Sequence, residues 1–461
     1  MRKGRIAITG LILCLLELPV LLGVWPGFFV YDAYEELQQV LTGSYTTHHP
    51  LLHVWLLGHI VDGIHSLTGS WNIGICAYIV IQMLIINMIF AYGIELLGKW
   101  GAGRIWRVVV LLFFGLCPTV VMYTLCSTKD GIFSAFLLLT ILFLHEEKRA
   151  PAMVSATVML LLRHNGIYAW AIYIVMMAVI WLVQRRRSGG RDAHDGRQCQ
   201  HLPEWVLLMI PLVAAVGINA ALTDALHAEG GEHQELLSIP IQQIGRTHNS
   251  YREELPVQER EALYRYLPED MLVHYTERLA DPLKQFFDNR AYEADRVSFW
   301  RLWLAWGLRH PGSYLNAWRL VSQGYIDPRI TVDAYEGHQV FTFTYGGSSY
   351  FGYETEPPGE RASLIPTVDG FYRMLSLDPR VQHIPVIGLL MAPATWFWID
   401  LACMLILAHR RDRLAWCALP VFLVWLTVIA GPAFLVRYVI YLWYIAPFLL
   451  FKASRGKLWS V

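Results

Sequence analysis

Long apolar runs, separated by short polar or basic connections, dominate the chain. A membrane-crossing helix needs about 20 predominantly apolar residues, and the pattern predicts about ten spans on this basis. They cover residues 6–25, 72–97, 105–125, 131–145, 150–163, 166–184, 204–222, 385–408, 413–431 and 434–451. The run at 150–163 would extend only about 20 Å as a helix, so it predicts either a short span or a re-entrant helix.

The distribution of Lys and Arg predicts the sidedness of these spans, because short loops rich in these residues remain on the cytoplasmic side. With the N-terminus inside, every strongly basic connection and the basic C-terminal tail also fall inside. This alternation of inner and outer loops requires that residues 50–67 do not cross the membrane. Their three histidines and one aspartate favour an amphipathic helix at the outer surface. Residues 223–384 then form an outer loop long enough to be a small domain.

Composition supports a multi-pass protein of the cell membrane. The chain is 55% hydrophobic and 16% charged, with a mean hydropathy of +0.38, which is too apolar for a soluble domain. The net charge of the chain is zero. We expect the chain to associate with the membrane, and we expect no nucleic acid as a partner. Residues 223–384 contain 23 acidic and 15 basic residues, which leaves 14 acidic (37 − 23) and 22 basic (37 − 15) elsewhere. The seven cysteines show no disulfide framework or metal-binding spacing.

We therefore predict three parts: an N-terminal transmembrane catalytic module at 1–222 with its first outer loop at 26–71, an extracytoplasmic loop domain at 223–384, and C-terminal transmembrane helices at 385–461. Within the loop domain, helical patterns cover 253–267, 270–279 and 297–323, whereas 338–356 alternates like a strand and is more loop than helix. The aromatic residues Trp303, Trp306, Tyr314 and Trp318 have two interpretations. They stack on sugar rings or, as ordinary helical spacing favours, they form the core of this domain.

Polar and charged side chains at the ends of the predicted spans collect on the outer face. Asp32, Glu35 and Glu36 recur at i, i+3 and i+4, so a helix would place the three carboxylates on one side. The other candidates on this face are His48, His49, Lys129, Asp130, Arg163, Asn165, Gln242, Gln243, Arg246, Arg437 and Tyr438. Charges at membrane depth usually face a cavity or a partner, although each cation alone is also consistent with an interfacial anchor or a buried ion pair.

Cations gathered beside a carboxylate suggest a site for an anionic lipid headgroup with acid/base chemistry. Lysine and arginine bind phosphate as a point charge and as a bidentate fork, so the predicted phosphate ligands are Lys129, Arg163, Arg246 and Arg437. Asp32 is the candidate general base. The predicted substrate-binding residues are Glu35, His48, His49, Asp130, Asn165, Gln242, Gln243 and Tyr438. No cofactor is required, but Asp32 with Glu35 or Glu36 offers a potential site for Mg²⁺ or Mn²⁺.

These residues resemble the motifs of the GT-C superfamily of polytopic glycosyltransferases. The similar features are Asp32 in VYDAY, the His49-Pro50 pair, Lys129-Asp130 and Arg437-Tyr438. Three segments of the outer domain are similar to an uncharacterised bacterial branch of that superfamily: IPIQQIGR at 239–246, ADPLK at 280–284 and HPGSYLNA at 310–317. Each motif is short, so the resemblance depends on their order and sidedness.

The resemblance implies an all-α, GT-C-like membrane bundle of about ten helices with amphipathic helices in its first outer loop and a small, mainly helical outer domain. It also implies an extracytoplasmic active site and cytoplasmic termini. The donor would be a polyprenyl-phosphate sugar, the acceptor a glycan, a lipid or a protein, and Asp32 the general base. Two departures bear on the site: Ala33 follows Asp32 where many members have a metal-binding acid, and Leu435-Val436 lacks an acid, which predicts that Arg437 is free for phosphate.

Two other functional classes remain open. A glycan polymerase or ligase has the same electrostatic requirements. A flippase or transporter of lipid-linked saccharides tends to have internal repeats and polar or broken helices near the midplane of the membrane. The polar residues singled out here lie instead at the outer ends of the spans, which favours the glycosyltransferase.

Overall fold

The fold is helical throughout the part of the chain that the structure describes. The computed structural model describes residues 3–187, 203–331, 345–347 and 351–455. These residues form α-helices and short 3₁₀ turns joined by three isolated β-bridges, and no strand occurs among them. The predicted all-α class is confirmed.

The first half of the chain follows the predicted apolar runs closely. Its helices are α1 (Lys3–Gly23), α2 (Tyr31–Thr42), α3 (Leu51–Thr68), α4 (Trp71–Lys99), α5 (Arg104–Leu116), α6 (Pro118–Thr124), α7 (Lys129–His145), α8 (Arg149–Leu162), α9 (His164–Arg187), α10 (Glu204–Leu207) and α11 (Met209–Ala225). The run predicted as one span at 105–125 is two helices bent by 60°. Pro118 is the physical reason, because proline cannot donate the backbone hydrogen bond that continues a helix.

The second half is divided into shorter helices. They are α12 (Ser238–Tyr251), α13 (Val257–Tyr264), α14 (Asp281–Lys284), α15 (Asn289–Ala294), α16 (Arg296–Arg309), α17 (Pro311–Ser322), α18 (Pro366–Leu377), α19 (Ile387–Met391), α20 (Pro393–His409), α21 (Arg413–Cys417), α22 (Leu419–Val428) and α23 (Tyr441–Ser454). The helix predicted at 297–323 is interrupted at Pro311, and the one predicted at 270–279 is a 3₁₀ turn, Glu269–His274. Helix α12 had no predicted counterpart.

Several helices could cross a membrane by length and apolar composition, as expected of a membrane protein. Five of those described meet both criteria, or six if the bent α5–α6 pair is one span. The five are α1, α4, α9, the α10–α11 segment and Val436–Ser454. Three of the other predicted spans correspond to shorter apolar helices: α8, α20 and the α21–α22 segment Arg413–Val428.

The buried apolar residues form two separate clusters. The larger cluster contains the long apolar helices and also Tyr345, Tyr372 and Val381. The smaller cluster lies between Leu237 and Tyr314. Trp306 and Tyr314 are buried in it and Trp303 packs against it, so these three rings have the packing role that their helical spacing favoured. Trp318 donates to the Ile429 carbonyl oxygen at 2.9 Å.

Backbone hydrogen bonds connect the smaller cluster to the segment that precedes Arg437. Leu279 and Ala433 form an antiparallel bridge, and the Ala280 amide donates to the Pro432 carbonyl oxygen at 2.8 Å. Of the predicted strand-like region, residues 338–344 and 348–350 lie outside the described residues. Residues 345–347 and 351–356 form turns, bends and irregular backbone.

Candidate functional site

A parallel β-bridge brings the starts of α2 and α7 together. The Phe28 amide donates to the Leu125 carbonyl oxygen at 3.1 Å, and the Ser127 amide donates to the Phe28 carbonyl oxygen at 3.0 Å. Both helices begin a few residues after this bridge. Asp32 therefore lies in the first turn of α2 and Asp130 in the first turn of α7, where the positive end of a helix dipole stabilises a carboxylate.

Asp32 is the centre of a buried ion-pair network. Its Oδ2 atom accepts from Lys129 Nζ at 3.0 Å and from Arg437 Nη1 at 2.9 Å, and the residue is 3% exposed. Arg437 lies in a 3₁₀ turn, Val436–Val439, that precedes α23. The prediction that Arg437 is free is therefore wrong, because Asp32, 405 positions earlier, supplies the acid that the local sequence lacks.

A second ion pair adjoins the first. Arg163 Nη1 lies 2.8 Å from Asp130 Oδ1, and Arg437 Nε lies 3.9 Å from Asp130 Oδ2. The ring of Tyr438 lies against both guanidinium groups, with centroid distances of 5.3 Å to Arg163 and 5.0 Å to Arg437. Five of the predicted site residues thus meet at one place: Asp32, Lys129, Asp130, Arg163 and Arg437, with Tyr438 beside them.

Glu36 and His53 form a polar chain beneath this network. His53 Nδ1 contacts Glu36 Oε2 closely, and His53 Nε2 lies 2.7 Å from the Tyr78 hydroxyl. Gln82 continues the chain, since its side-chain oxygen accepts from Tyr78 at 3.2 Å. All four residues are buried. The other oxygen, Glu36 Oε1, faces Lys129 Nζ at 3.6 Å, so Glu36 is held as a further counter-charge for the lysine.

Glu35 points to the outside of the same helix and meets His49. The Lys129 ammonium donates to His49 Nδ1 at 2.9 Å, so Nε2 carries the proton of the neutral ring and donates to Glu35 Oε2 at 3.2 Å. Burial and then the charge of Lys129 lower the pKa of His49 well below its usual value. Burial and the neighbouring Asp32 charge raise the pKa of Glu35 to about 7. Glu35 is thus the acid in this group that changes charge near neutral pH.

Asp32 has the opposite electrostatic environment. Burial opposes ionisation of its carboxyl group, but the charges of Arg437 and Lys129 outweigh burial and hold the pKa well below the usual value. Asp32 is therefore ionised and is a weak proton acceptor in this arrangement.

The two acids of the predicted metal pair have other partners in this arrangement, because Lys129 and Arg437 both contact Asp32 Oδ2 and His49 donates to Glu35. Glu35, His48 and His49 do come together, with potential ligand atoms within 4.8 Å of one another. However, the Lys129 ammonium donates to His49 Nδ1 and leaves the proton on Nε2, the atom that faces Glu35. A metal ion bound there would require the ring to exchange tautomers.

The other predicted site residues have separate partners. Asn165 donates to the Thr427 hydroxyl at 2.9 Å. Gln242 donates to the Thr276 carbonyl oxygen at 2.8 Å, Gln243 accepts from Trp303 at 2.9 Å, and Arg246 pairs with Glu277 at 3.1 Å. These last three contacts lie within the smaller cluster. They give Gln242, Gln243 and Arg246 structural roles there.

Sequence reasoning assigned no site role to an ion-pair group on the smaller cluster. Lys284 is buried and pairs with Asp281 at 2.7 Å and with Glu235 at 2.8 Å. Glu235 is close enough to contribute to the raised pKa of Glu35. Asp281 and Lys284 belong to ADPLK, the segment whose Ala280 docks beside Pro432, so the motif was visible but its place beside the site was not.

Two acids inside apolar helices were also missed. Glu17 in α1 is fully buried and accepts from Asn87 Nδ2 at 2.6 Å. Asp400 in α20 is fully buried, and neither of its oxygens has a hydrogen-bond partner among the described residues. Buried acidic side chains therefore also occur within the apolar helices themselves.

Fold and site together define an all-helical protein with several apolar helices that could span a membrane and a buried centre of alternating acids and cations. The chain belongs to the family described as "Family of unknown function (DUF6020)", which matches residues 41–458. The matched region includes Lys129, Asp130, Arg163 and Arg437, and it begins after Asp32, Glu35 and Glu36. No curated protein and no solved structure matches the chain.

Proposed function

We propose that this protein is a membrane glycosyltransferase of the GT-C kind, which transfers a sugar from a polyprenyl-phosphate donor to an acceptor on the extracytoplasmic face. The observation that carries the proposal is the buried Asp32 carboxylate shared by Lys129 and Arg437. A charged group held in this way is costly unless it has a function or a specific partner. The resemblance of the surrounding motifs to the GT-C superfamily supports the same assignment.

The proposed topology places about ten spans across the cell membrane with both termini in the cytoplasm. The distribution of basic loops supports this orientation. The first outer loop, the smaller cluster and the starts of α2 and α7 would then face outward. In this arrangement the smaller cluster is part of the predicted loop domain, and its ADPLK segment lies next to the lipid-facing helices, at the depth where a lipid-linked phosphate would be held.

The donor phosphate would bind by replacing Asp32 as the partner of Lys129 and Arg437. Both cations are already within 3.0 Å of one carboxylate oxygen, and lysine and arginine donate charge-assisted hydrogen bonds to phosphate oxygens as they do to carboxylate oxygens. Arg163, paired with Asp130 and in contact with Tyr438, would supply a third positive charge next to the first two. Arg246 is assigned no part in phosphate binding, because its partners, Glu277 and Tyr275, do not belong to the Asp32 network.

Donor binding would also activate the base. Once phosphate shares Lys129 and Arg437, burial dominates and the pKa of Asp32 rises towards the range useful for general-base catalysis. The acceptor hydroxyl then attacks the anomeric carbon and its proton passes to Asp32. The bond between the anomeric carbon and the phosphate oxygen breaks, and polyprenyl phosphate leaves with its charge stabilised by the two cations. The stereochemistry at the anomeric carbon is inverted.

Glu35 and His49 would bind the acceptor. They lie beside Lys129, and the Glu35 side chain is 42% exposed, so it is accessible from outside the buried network. Glu35 is also the second candidate base, because its raised pKa suits proton transfer near neutral pH. A neutral substitution at each acid separates the two roles.

Transport of lipid-linked saccharides is a second candidate function, favoured by one observation. Glu17 and Asp400 are fully buried in apolar helices, and ionisable residues at such positions often mark ion or substrate pathways in transporters. The two functions differ in their chemistry, because a transporter leaves the sugar–phosphate bond intact.

The experiment that tests the proposal measures release of polyprenyl phosphate from a panel of polyprenyl-phosphate sugars by the purified protein with membrane-lipid and glycan acceptors. We expect release by wild type and by the Arg246→Gln control, and none by Asp32→Asn. Activity in Asp32→Asn together with its loss in Glu35→Gln would assign the base to Glu35. If the lipid-linked sugar is moved between leaflets of a vesicle and recovered intact, the protein is a transporter.

A further inference from the structure

A cavity lies on the side of the molecule that carries the basic loops. Its volume is about 360 Å³, within the range of about 300–1,000 Å³ typical of small-molecule sites. It is formed by the end of α7, the start of α8, the second half of α9, α10 and α21. These elements are separate from the starts of α2 and α7, where the Asp32 network lies, so the cavity is not part of the proposed active site.

Aromatic and apolar side chains make up most of the cavity wall. Trp181, Trp205 and Trp416 line it together with Tyr173, Met177 and Leu208. Tryptophan and tyrosine concentrate at the depth of lipid headgroups, and this cavity is lined by Arg413, the basic residue that begins α21. Its position and lining fit an amphiphile whose polar part lies at the membrane interface and whose apolar part extends between the helices.

Two arginines and two glutamates surround the polar part of the cavity. Arg413 pairs with Glu147 at 2.6 Å and with Glu204 at 2.7 Å. Arg149 lines the same cavity and has no ion-pair partner in the described part of the chain. The described residues that line the cavity thus carry two positive and two negative charges, which favour a zwitterionic group over an anionic one because an added net charge would be left without compensation.

The indole of Trp205 supplies a further polar atom. Its Nε1 atom is buried and has no acceptor among the described residues. A buried donor without an acceptor is destabilising, so this N–H group favours a ligand that brings an oxygen atom into the cavity. A phosphate or ester oxygen would satisfy it.

We propose that this cavity binds a membrane phospholipid with a phosphoethanolamine headgroup. Arg149 and the Trp205 N–H group would hold the phosphate. Glu147 and Glu204, on either side of Arg413, would accept hydrogen bonds from the primary ammonium group. One acyl chain would lie against Tyr173 and Met177. The occupant of this site is thus a lipid of the surrounding membrane and not the lipid-linked sugar donor.

Native mass spectrometry of the purified full-length protein tests this proposal. The protein is mixed with equal amounts of phosphatidylethanolamine, phosphatidylglycerol and phosphatidylcholine that have identical acyl chains. We expect selective retention of one phosphatidylethanolamine. Arg149→Gln should weaken it about tenfold or more, as expected for loss of a charged hydrogen bond, and Trp205→Phe about threefold to tenfold, as expected for a neutral one.

Arg104→Gln is the matched control, because Arg104 is an exposed arginine at the start of α5 and lines no part of this cavity. It should retain phosphatidylethanolamine as wild type does. Size-exclusion profiles and lipid-free melting temperatures verify that each variant is folded. Equal or stronger retention of either other lipid would refute the headgroup assignment. Retention in Arg149→Gln and Trp205→Phe equal to that in Arg104→Gln would refute the site.

Discussion

Replacing Arg437 with glutamine should strongly destabilise the protein. At 2.9 Å from Asp32 Oδ2, the Coulomb attraction is about 6 kcal/mol at an effective dielectric constant of about 20. Part of it offsets the cost of burying both charges, and Lys129 still neutralises the carboxylate in the variant. Removal of one partner of a buried ion pair typically costs about 3–5 kcal/mol, and we expect a value in the lower part of this range, near 3 kcal/mol.

Equilibrium unfolding in detergent measures this loss, with Arg246→Gln as the control. Arg246 pairs with Glu277, whose side chain is 61% exposed, so its replacement should cost only about 0–1 kcal/mol. A double-mutant cycle with Asp32→Asn should show a coupling of at least about 1 kcal/mol between positions 32 and 437. Equal losses for the two arginine variants, or strict additivity in the cycle, would refute the buried ion pair.

Three further predictions concern the neighbourhood of this pair. The pKa of Glu35 is raised from 4.5 to about 7, so the folded state binds more protons than the unfolded state between these pH values, and wild-type stability should fall as the pH rises through that window. Glu35→Gln should remove this dependence of stability on pH in thermal melts from pH 4 to 8. An unchanged dependence would contradict the assignment. His53→Gln removes the hydrogen-bond partner of the buried Glu36 and should lower the free energy of unfolding by about 1–3 kcal/mol. His59→Gln on the same helix should lower it by less than about 0.5 kcal/mol in the same unfolding assay. Equal losses would count against the polar chain. Lys284→Met leaves two acids without their shared cation and should lower the free energy of unfolding by about 1–3 kcal/mol. Proteolysis of the smaller cluster should also be faster. If the variant resists proteolysis as well as wild type does, this pairing does not stabilise the cluster.

The apolar pattern predicted the helical class and the approximate positions of the long helices, because burial in lipid or in a helical core selects the same residue types. It did not predict where spans break. Pro118 and Pro393 begin helices α6 and α20, and each was visible as a signal that proline interrupts a run. The smaller cluster was less predictable, since its short helices depend on tertiary contacts among distant aromatic residues.

Local spacing predicted which residue types belong to the candidate site, but it did not predict their burial or their partners. The i, i+3, i+4 spacing placed three acids on one helix, but it could not tell that Asp32 and Glu36 are buried while the Glu35 side chain is 42% exposed. That difference depends on which neighbours cover each side of α2. The pairing of Asp32 with Arg437 is a contact between residues 405 positions apart, and no local pattern contains it. Asp400 differs in this respect, because an acid within an apolar run usually faces the interior of a helical bundle, and it is indeed buried.

The most direct test of the central claim is a binding titration of polyprenyl phosphate against wild type, Asp32→Asn and Lys129→Met. If phosphate competes with Asp32 for Lys129 and Arg437, removal of the carboxylate charge should make polyprenyl phosphate bind more tightly than to wild type, even though transfer is lost. Lys129→Met should bind it more weakly. Equal affinity in all three proteins, or weaker binding to Asp32→Asn together with wild-type binding to Lys129→Met, would contradict the account.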